Sequence, residues 1–143
     1  MKRRQIALLV LCVAVFVSAA LALDITVLGT VAFDNSDQVK PAKLRVNFYS
    51  GESPGTYTVC VKPNGPFATA CPVFKTGDTP QCQNVTFTSA PSQVKLTNIL
   101  LQSKPREPGH AIRNCGVTYS IVPQGQPSNY FGRPEIGIPY RLK

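Results

Sequence analysis

The amino-acid sequence predicts an all-β protein, an antiparallel β-sandwich of about eight strands held by two disulfides. Three observations point there. Apolar and polar side chains alternate with a period of two along most of the chain beyond residue 22, the pattern that makes one face of a strand apolar. Thirteen prolines and ten glycines fall mostly in the separators, where they oppose helix and punctuate strands. Four of the five cysteines lie beyond residue 22, an even number that reads as two bridges in a short exported chain.

The first 22 residues read as a secretory signal peptide. Lys2, Arg3 and Arg4 precede an apolar run from Ile6 to Val17, and small residues end at Ala20-Leu21-Ala22, so cleavage is expected after Ala22, or else after Ala20. Twelve apolar residues at ~1.5 Å each fall short of a hydrocarbon core roughly 30 Å thick, which disfavours a retained anchor. Cys12 leaves with this segment. The remaining 121 residues, 23–143, suit one β-sandwich domain. No second long apolar run follows, and the tail IPYRLK is neither a lipid-anchor nor a retention signal. The expectation is a secreted, extracellular protein with no integral membrane segment after cleavage.

Eight strand candidates follow in order. DITVLGTVAF places Ile25, Val27, Val31 and Phe33 on one side. KLRVNFYS sets Leu44, Val46 and Phe48 against Arg45, Asn47 and Tyr49, and TYTVCVK sets Tyr57, Val59 and Val61 against Thr56, Thr58, Cys60 and Lys62. FATACPVF, NVTFTS, QVKLTNILL, GVTYSIV and EIGIPYRL complete the set, the last with Ile136, Ile138, Tyr140 and Leu142 in phase. In QVKLTNILL, Leu96, Ile99 and Leu100 also fit one face of a short helix capped by Ser92. Between TYTVCVK and FATACPVF, Asn64-Gly65 signals a hairpin, since both residues tolerate the positive φ of a tight reversal. The spacing of short strands without intervening helices favours an immunoglobulin-like or similar sandwich over a closed barrel.

The cysteines are Cys60, Cys71, Cys82 and Cys115, with gaps of eleven, eleven and thirty-three. Structural zinc sites place ligands two to four residues apart, and redox pairs use Cys-x-x-Cys, so staples are the better reading. Sequence leaves three connectivities open. The turn-rich stretch CPVFKTGDTPQC favours Cys71–Cys82 with Cys60–Cys115; the rival is Cys60–Cys71 across the hairpin, with Cys82–Cys115. Because Cys60 shares a strand face with threonines and Lys62, it is expected under a loop, outside the core.

Charge is distributed unevenly. Beyond residue 22, twelve Lys and Arg face seven Asp and Glu, a balance of +5. Residues 23–93 carry five of each sign, so the excess lies from Val94 onward, on Lys95, Lys104, Arg106, Arg113, Arg133, Arg141 and Lys143. The candidate binding surface is therefore Lys104, Arg106, His110 and Arg113, with Tyr130, Phe131 and Arg133 as an aromatic-basic edge. An anionic glycan or an extracellular protein fits such a surface. Nucleic acid does not, since the chain is exported and no basic run interleaves with aromatics. The sequon Asn84-Val85-Thr86 makes Asn84 a glycosylation candidate.

Catalysis is not expected. The carboxylates stand in turn-like contexts, and there is no nucleophile elbow, zinc-protease helix, phosphate-cradling loop or histidine cluster. His110 with Cys115 is the one conceivable nucleophilic pair, and a disulfide explains Cys115 more simply. FDNSDQ could offer calcium oxygens from Asp34, Asn35 and Asp37, but it lacks EF-hand spacing and reads as a turn. No cofactor or metal is expected.

NVTFTS, in a secreted four-cysteine all-β chain, resembles the MD-2-related lipid-recognition proteins. That resemblance implies an alternative function, lipid or small apolar ligand binding in a cup between two sheets. The cysteines depart from the family pattern, with none near Asp24 and none in the last strand. A structural or matrix component is the third expectation.

Overall fold

A computed structural model describes residues 23–35, 37–65, 70–103, 111–128 and 135–142. The described residues are all-β and hold ten strands: β1 (Asp24–Val27), β2 (Val31–Phe33), β3 (Val39–Pro41), β4 (Leu44–Phe48), β5 (Gly55–Pro63), β6 (Gln81–Phe87), β7 (Ser92–Leu96), β8 (Leu100–Gln102), β9 (Arg113–Pro123) and β10 (Glu135–Leu142). One sheet has the order β1-β4-β7, a second β2-β10-β9-β5-β6, and β3 pairs with β8 in a short ribbon. Every pairing is antiparallel except that of β2 with β10.

The alternation of the sequence is what packs the two larger sheets together. Leu44, Val46 and Phe48 of β4, Val59 and Val61 of β5, and Ile138 and Tyr140 of β10 are all buried in one apolar cluster. Phe48 and Phe87 stack across the sandwich with centroids 4.6 Å apart and planes 7° from parallel, tying β4 to β6. Tyr57 meets Phe87 edge-on at 6.1 Å.

Three expectations about elements are corrected. DITVLGTVAF is two strands, because the chain leaves the first sheet after Val27 and joins the second at Val31, where β2 lies parallel to β10. Its apolar phase is the same on both sides of the crossing, since both halves face the one core; periodicity reports the face and not the sheet. QVKLTNILL is likewise two strands, β7 and β8, and no helix. Gln83 Oε1 accepts from the amides of Thr97 and Asn98 at 2.9 and 3.0 Å, satisfying the turn between them.

The third concerns the expected hairpin. Gly65 has φ +69°, as the sequence suggested, but Asn64 has no positive φ, and the next strand among the described residues begins at Gln81. Residues 70–80 are mostly turn, joined to β8 through Lys75 N to Leu100 O (3.2 Å) and Gln102 N to Val73 O (2.7 Å). FATACPVF thus gives no strand among the described residues beyond a single bridge, Phe74 to Leu101. Its apolar residues are buried all the same, Cys71, Val73 and Phe74 packing into the core.

The disulfides pair as Cys60–Cys82 and Cys71–Cys115, neither the preferred nor the rival connectivity. Strand register is the reason. Cys60 on β5 stands directly opposite Cys82 on β6, with Cα atoms 4.1 Å apart, so the two meet without bending the backbone. That leaves Cys71 to reach Cys115 on β9, and both are fully buried. Cys60 lies outside the core cluster but is buried beneath a loop, where Ser128 Oγ reaches its sulfur at 3.3 Å.

Candidate functional site

The outer face of the three-stranded sheet gathers the cations. Register puts Thr26, Arg45 and Lys95 in one cross-strand row and Asp24, Asn47 and Gln93 in the next. Lys43, just before β4, is exposed and lines one recess together with Lys95. The inward neighbours Leu44, Val46 and Leu96 are buried, so Lys43 and Lys95 stand exposed and Arg45 half-buried. Arg45 and Lys95 are thus like charges directly opposite on adjacent strands, an arrangement that opposes pairing. Among the described residues no carboxylate lies within 4.0 Å of Lys43, Arg45 or Lys95, and the Arg45 Nε is buried without an acceptor.

The acid of this face is committed elsewhere. Asp24 Oδ1 accepts from Asn47 Nδ2 at 2.6 Å and Oδ2 accepts from the Tyr49 hydroxyl at 2.7 Å, while Asn47 Nδ2 also donates to Thr26 Oγ1 at 2.6 Å. The hydrogen bond to Asp24 raises the Tyr49 phenol above its ordinary pKa, with some desolvation and the Asp24 charge adding to it. Asn47 is buried although it is polar and faces outward, because this network encloses it.

Two recesses flank the cationic row. One, of ≈ 500 Å³, is lined by Thr26, Arg45, Asn47, Tyr49 and Gln93. The other, of ≈ 560 Å³, follows the crossing from β1 to β2, where Leu28, Leu44 and Leu96 meet Lys40, Lys43 and Lys95. Lys40 is partly occupied, its Nζ donating to Ala32 O at 2.7 Å and standing 4.0 Å from Asp34. Both volumes lie in the range of about 300–1,000 Å³ that small ligands occupy.

Of the residues singled out from sequence as a binding surface, only Arg113 is described. It opens β9, is exposed and lies opposite Tyr140 in the five-stranded sheet, away from the Arg45 row. Lys104, Arg106, His110, Tyr130, Phe131 and Arg133 lie outside the described residues. Cys115 is bonded to Cys71 and offers no free thiol beside His110. Asp34 and Asn35 lie in a turn held by Gln38 Oε1, which accepts from their amides at 2.7 and 3.3 Å. Asn84 is exposed on β6, its Oδ1 accepting from Thr58 Oγ1 at 2.7 Å.

Sequence reasoning missed Lys43 and Arg45. Both sit in the half of the chain whose charges cancel, and only strand register brings them beside Lys95. The available signal was the alternation itself, which placed Arg45, Asn47 and Tyr49 on a common polar face. No family model, curated protein or solved structure matches this chain. Function is therefore argued from the site alone.

Proposed function

We propose that this is a secreted, non-enzymatic binding protein that engages an anionic glycan through the cationic outer face of its three-stranded sheet. The observation that carries this reading is the Arg45–Lys95 pair, two like charges held opposite one another with Lys43 beside them and no carboxylate in ion-pair range among the described residues. Such a pair weakens the sheet until an anion sits over it. Cations roughly 5 Å apart across strands and about 7 Å apart along one give a flat lattice that meets a polyanion at several points together. Two disulfides suit an oxidising, extracellular setting. Retention on immobilised heparin at low salt, with release at moderate salt, is the expected behaviour. Replacing Lys43, Arg45 and Lys95 together by Gln is expected to abolish retention; a native protein that flows through at low salt would end this reading.

A second reading draws on the other recess. Apolar Leu28, Leu44 and Leu96 beside Lys40, Lys43 and Lys95 suit a small apolar ligand with an acidic head. Organic extraction of the purified protein followed by mass spectrometry tests it, and an empty extract with no displacement of a fluorescent fatty-acid probe removes it.

A further inference from the structure

We infer that the recess beside Arg45 is a subsite for one acidic sugar unit, a pyranose bearing a sulfate or carboxylate, with the anion on Arg45 and the ring against Tyr49. The inference rests on the anionic-glycan reading and names the unit that the site selects.

Three residues that line the recess and one beside it carry the inference. The Arg45 Nε is buried and has no acceptor among the described residues, and the half-buried guanidinium presents donors in a planar fork that matches the two oxygens of a sulfate or carboxylate. Lys95, directly opposite Arg45 in register, lines the neighbouring recess and adds positive charge at the boundary between the two. Tyr49 is 41% exposed, and its hydroxyl is fixed on Asp24, so the ring is held as a platform and not left to rotate freely. Gln93, opposite Asn47 on the same face, is exposed, and its side chain makes no hydrogen bond among the described residues. An amide offers both a donor and an acceptor to sugar hydroxyls.

Asp24 decides against a cationic or neutral occupant. Both its oxygens already accept hydrogen bonds from Asn47 and Tyr49, so the acid braces the site from within and is not spent on Arg45. The guanidinium is left for an anion that comes from outside. A recess of ≈ 500 Å³ between these residues accommodates a single ring with its substituent.

Titration of the full chain with a trisulfated heparin disaccharide, the matching unsulfated disaccharide and inorganic sulfate tests the subsite, with amide shifts followed by NMR. The expected result is binding of the sulfated disaccharide at least ~10-fold tighter than either control, with shifts centred on Arg45, Gln93 and Lys95. Arg45→Lys keeps the charge but loses the fork, and Tyr49→Ala keeps every charge but loses the platform. Each is expected to weaken the disaccharide about 10-fold while heparin retention survives. Tyr49→Phe keeps the ring but frees it from Asp24, and is expected to bind between the native protein and Tyr49→Ala. Gln93→Ala, on an exposed side chain, serves if Tyr49→Ala unfolds, with a loss of about 3-fold expected. Native heparin retention together with disaccharide affinities unmoved by Arg45→Lys, Tyr49→Ala and Gln93→Ala would overturn the subsite and leave the polyanion reading standing. Absence of heparin retention and of disaccharide binding would overturn both.

Discussion

The Tyr49 hydroxyl donates to Asp24 Oδ2 across 2.7 Å, joining the residue just beyond β4 to the first residue of β1. It closes the network in which Asp24 and Asn47 brace the polar face of the sheet.

That bond fixes a sign for alkaline titration. A phenol that donates to a carboxylate resists losing its proton, so Tyr49 ionises above the usual value near 10. Its folded pKa exceeds the unfolded one, so the contribution is fully present below pH ~10 and is lost as pH rises through the folded value. Ultraviolet difference titration is expected to show one tyrosine shifted upward that returns toward the ordinary range in Asp24→Asn. Tyr57 is also raised, chiefly by desolvation, and is expected to stay shifted in that variant.

Lys95→Glu is expected to stabilise the fold and weaken the ligand. The change turns a like-charge cross-strand pair with Arg45 into an attractive one, worth a few tenths of a kcal/mol. Chemical denaturation should show a small rise in midpoint at unchanged slope, and heparin elution should move to lower salt. A fall in both quantities would contradict the electrostatic account of the row.

The two disulfides are expected to differ in weight. In the chain-entropy model, loops closed over separations of 22 and 44 residues contribute about 3 and about 4 kcal/mol. Removing Cys71–Cys115 also leaves a void in the core, whereas Cys82 is exposed at the sheet edge. Thermal unfolding of the two double-alanine variants should rank Cys71/Cys115 as the more damaging, and a non-reducing peptide map should return only these two bridges.

Phe48→Ala is expected to cost about 3–5 kcal/mol. The ring stacks on Phe87 and contacts Tyr57, so its loss opens the core where the two sheets meet. Phe48→Leu, which refills most of the volume, is expected to recover more than half of that loss in urea unfolding.

Asn84 is expected to carry a glycan when the chain passes through a eukaryotic secretory route. The side chain is exposed on the edge strand β6, and a glycan there covers the five-stranded sheet, leaving the Arg45 face open. Thr86→Ala should abolish the mass increment. Heparin retention unchanged by enzymatic deglycosylation would agree with that separation.

Much of the fold was legible because burial acts on single side chains. Leu44, Val46 and Phe48 read as one face and are one face; Tyr57, Val59 and Val61 likewise. What the pattern could not carry was partnership. Cys60 was correctly expected beneath a loop, yet its partner was misassigned, because an offset of 22 residues becomes a contact only once β5 and β6 are in register. The cationic row was hidden for the same reason. Lys43 and Arg45 lie in a stretch of zero net charge, whereas the excess of basic residues lies beyond Val94, mostly outside the described residues.

By itself, then, the sequence determined the strand class, the inward and outward sides of each strand, and the presence of two staples. These follow from period-two hydrophobicity, from turn residues and from an even cysteine count, all local properties of the chain. Tertiary structure alone decided which strands are neighbours. It sent β2 to the far sheet alongside β10, joined Cys60 to Cys82, and set Arg45 against Lys95. Hydrogen-bonded register between strands distant in sequence is a property of the assembled sheet, and the charges of this site become one site only there.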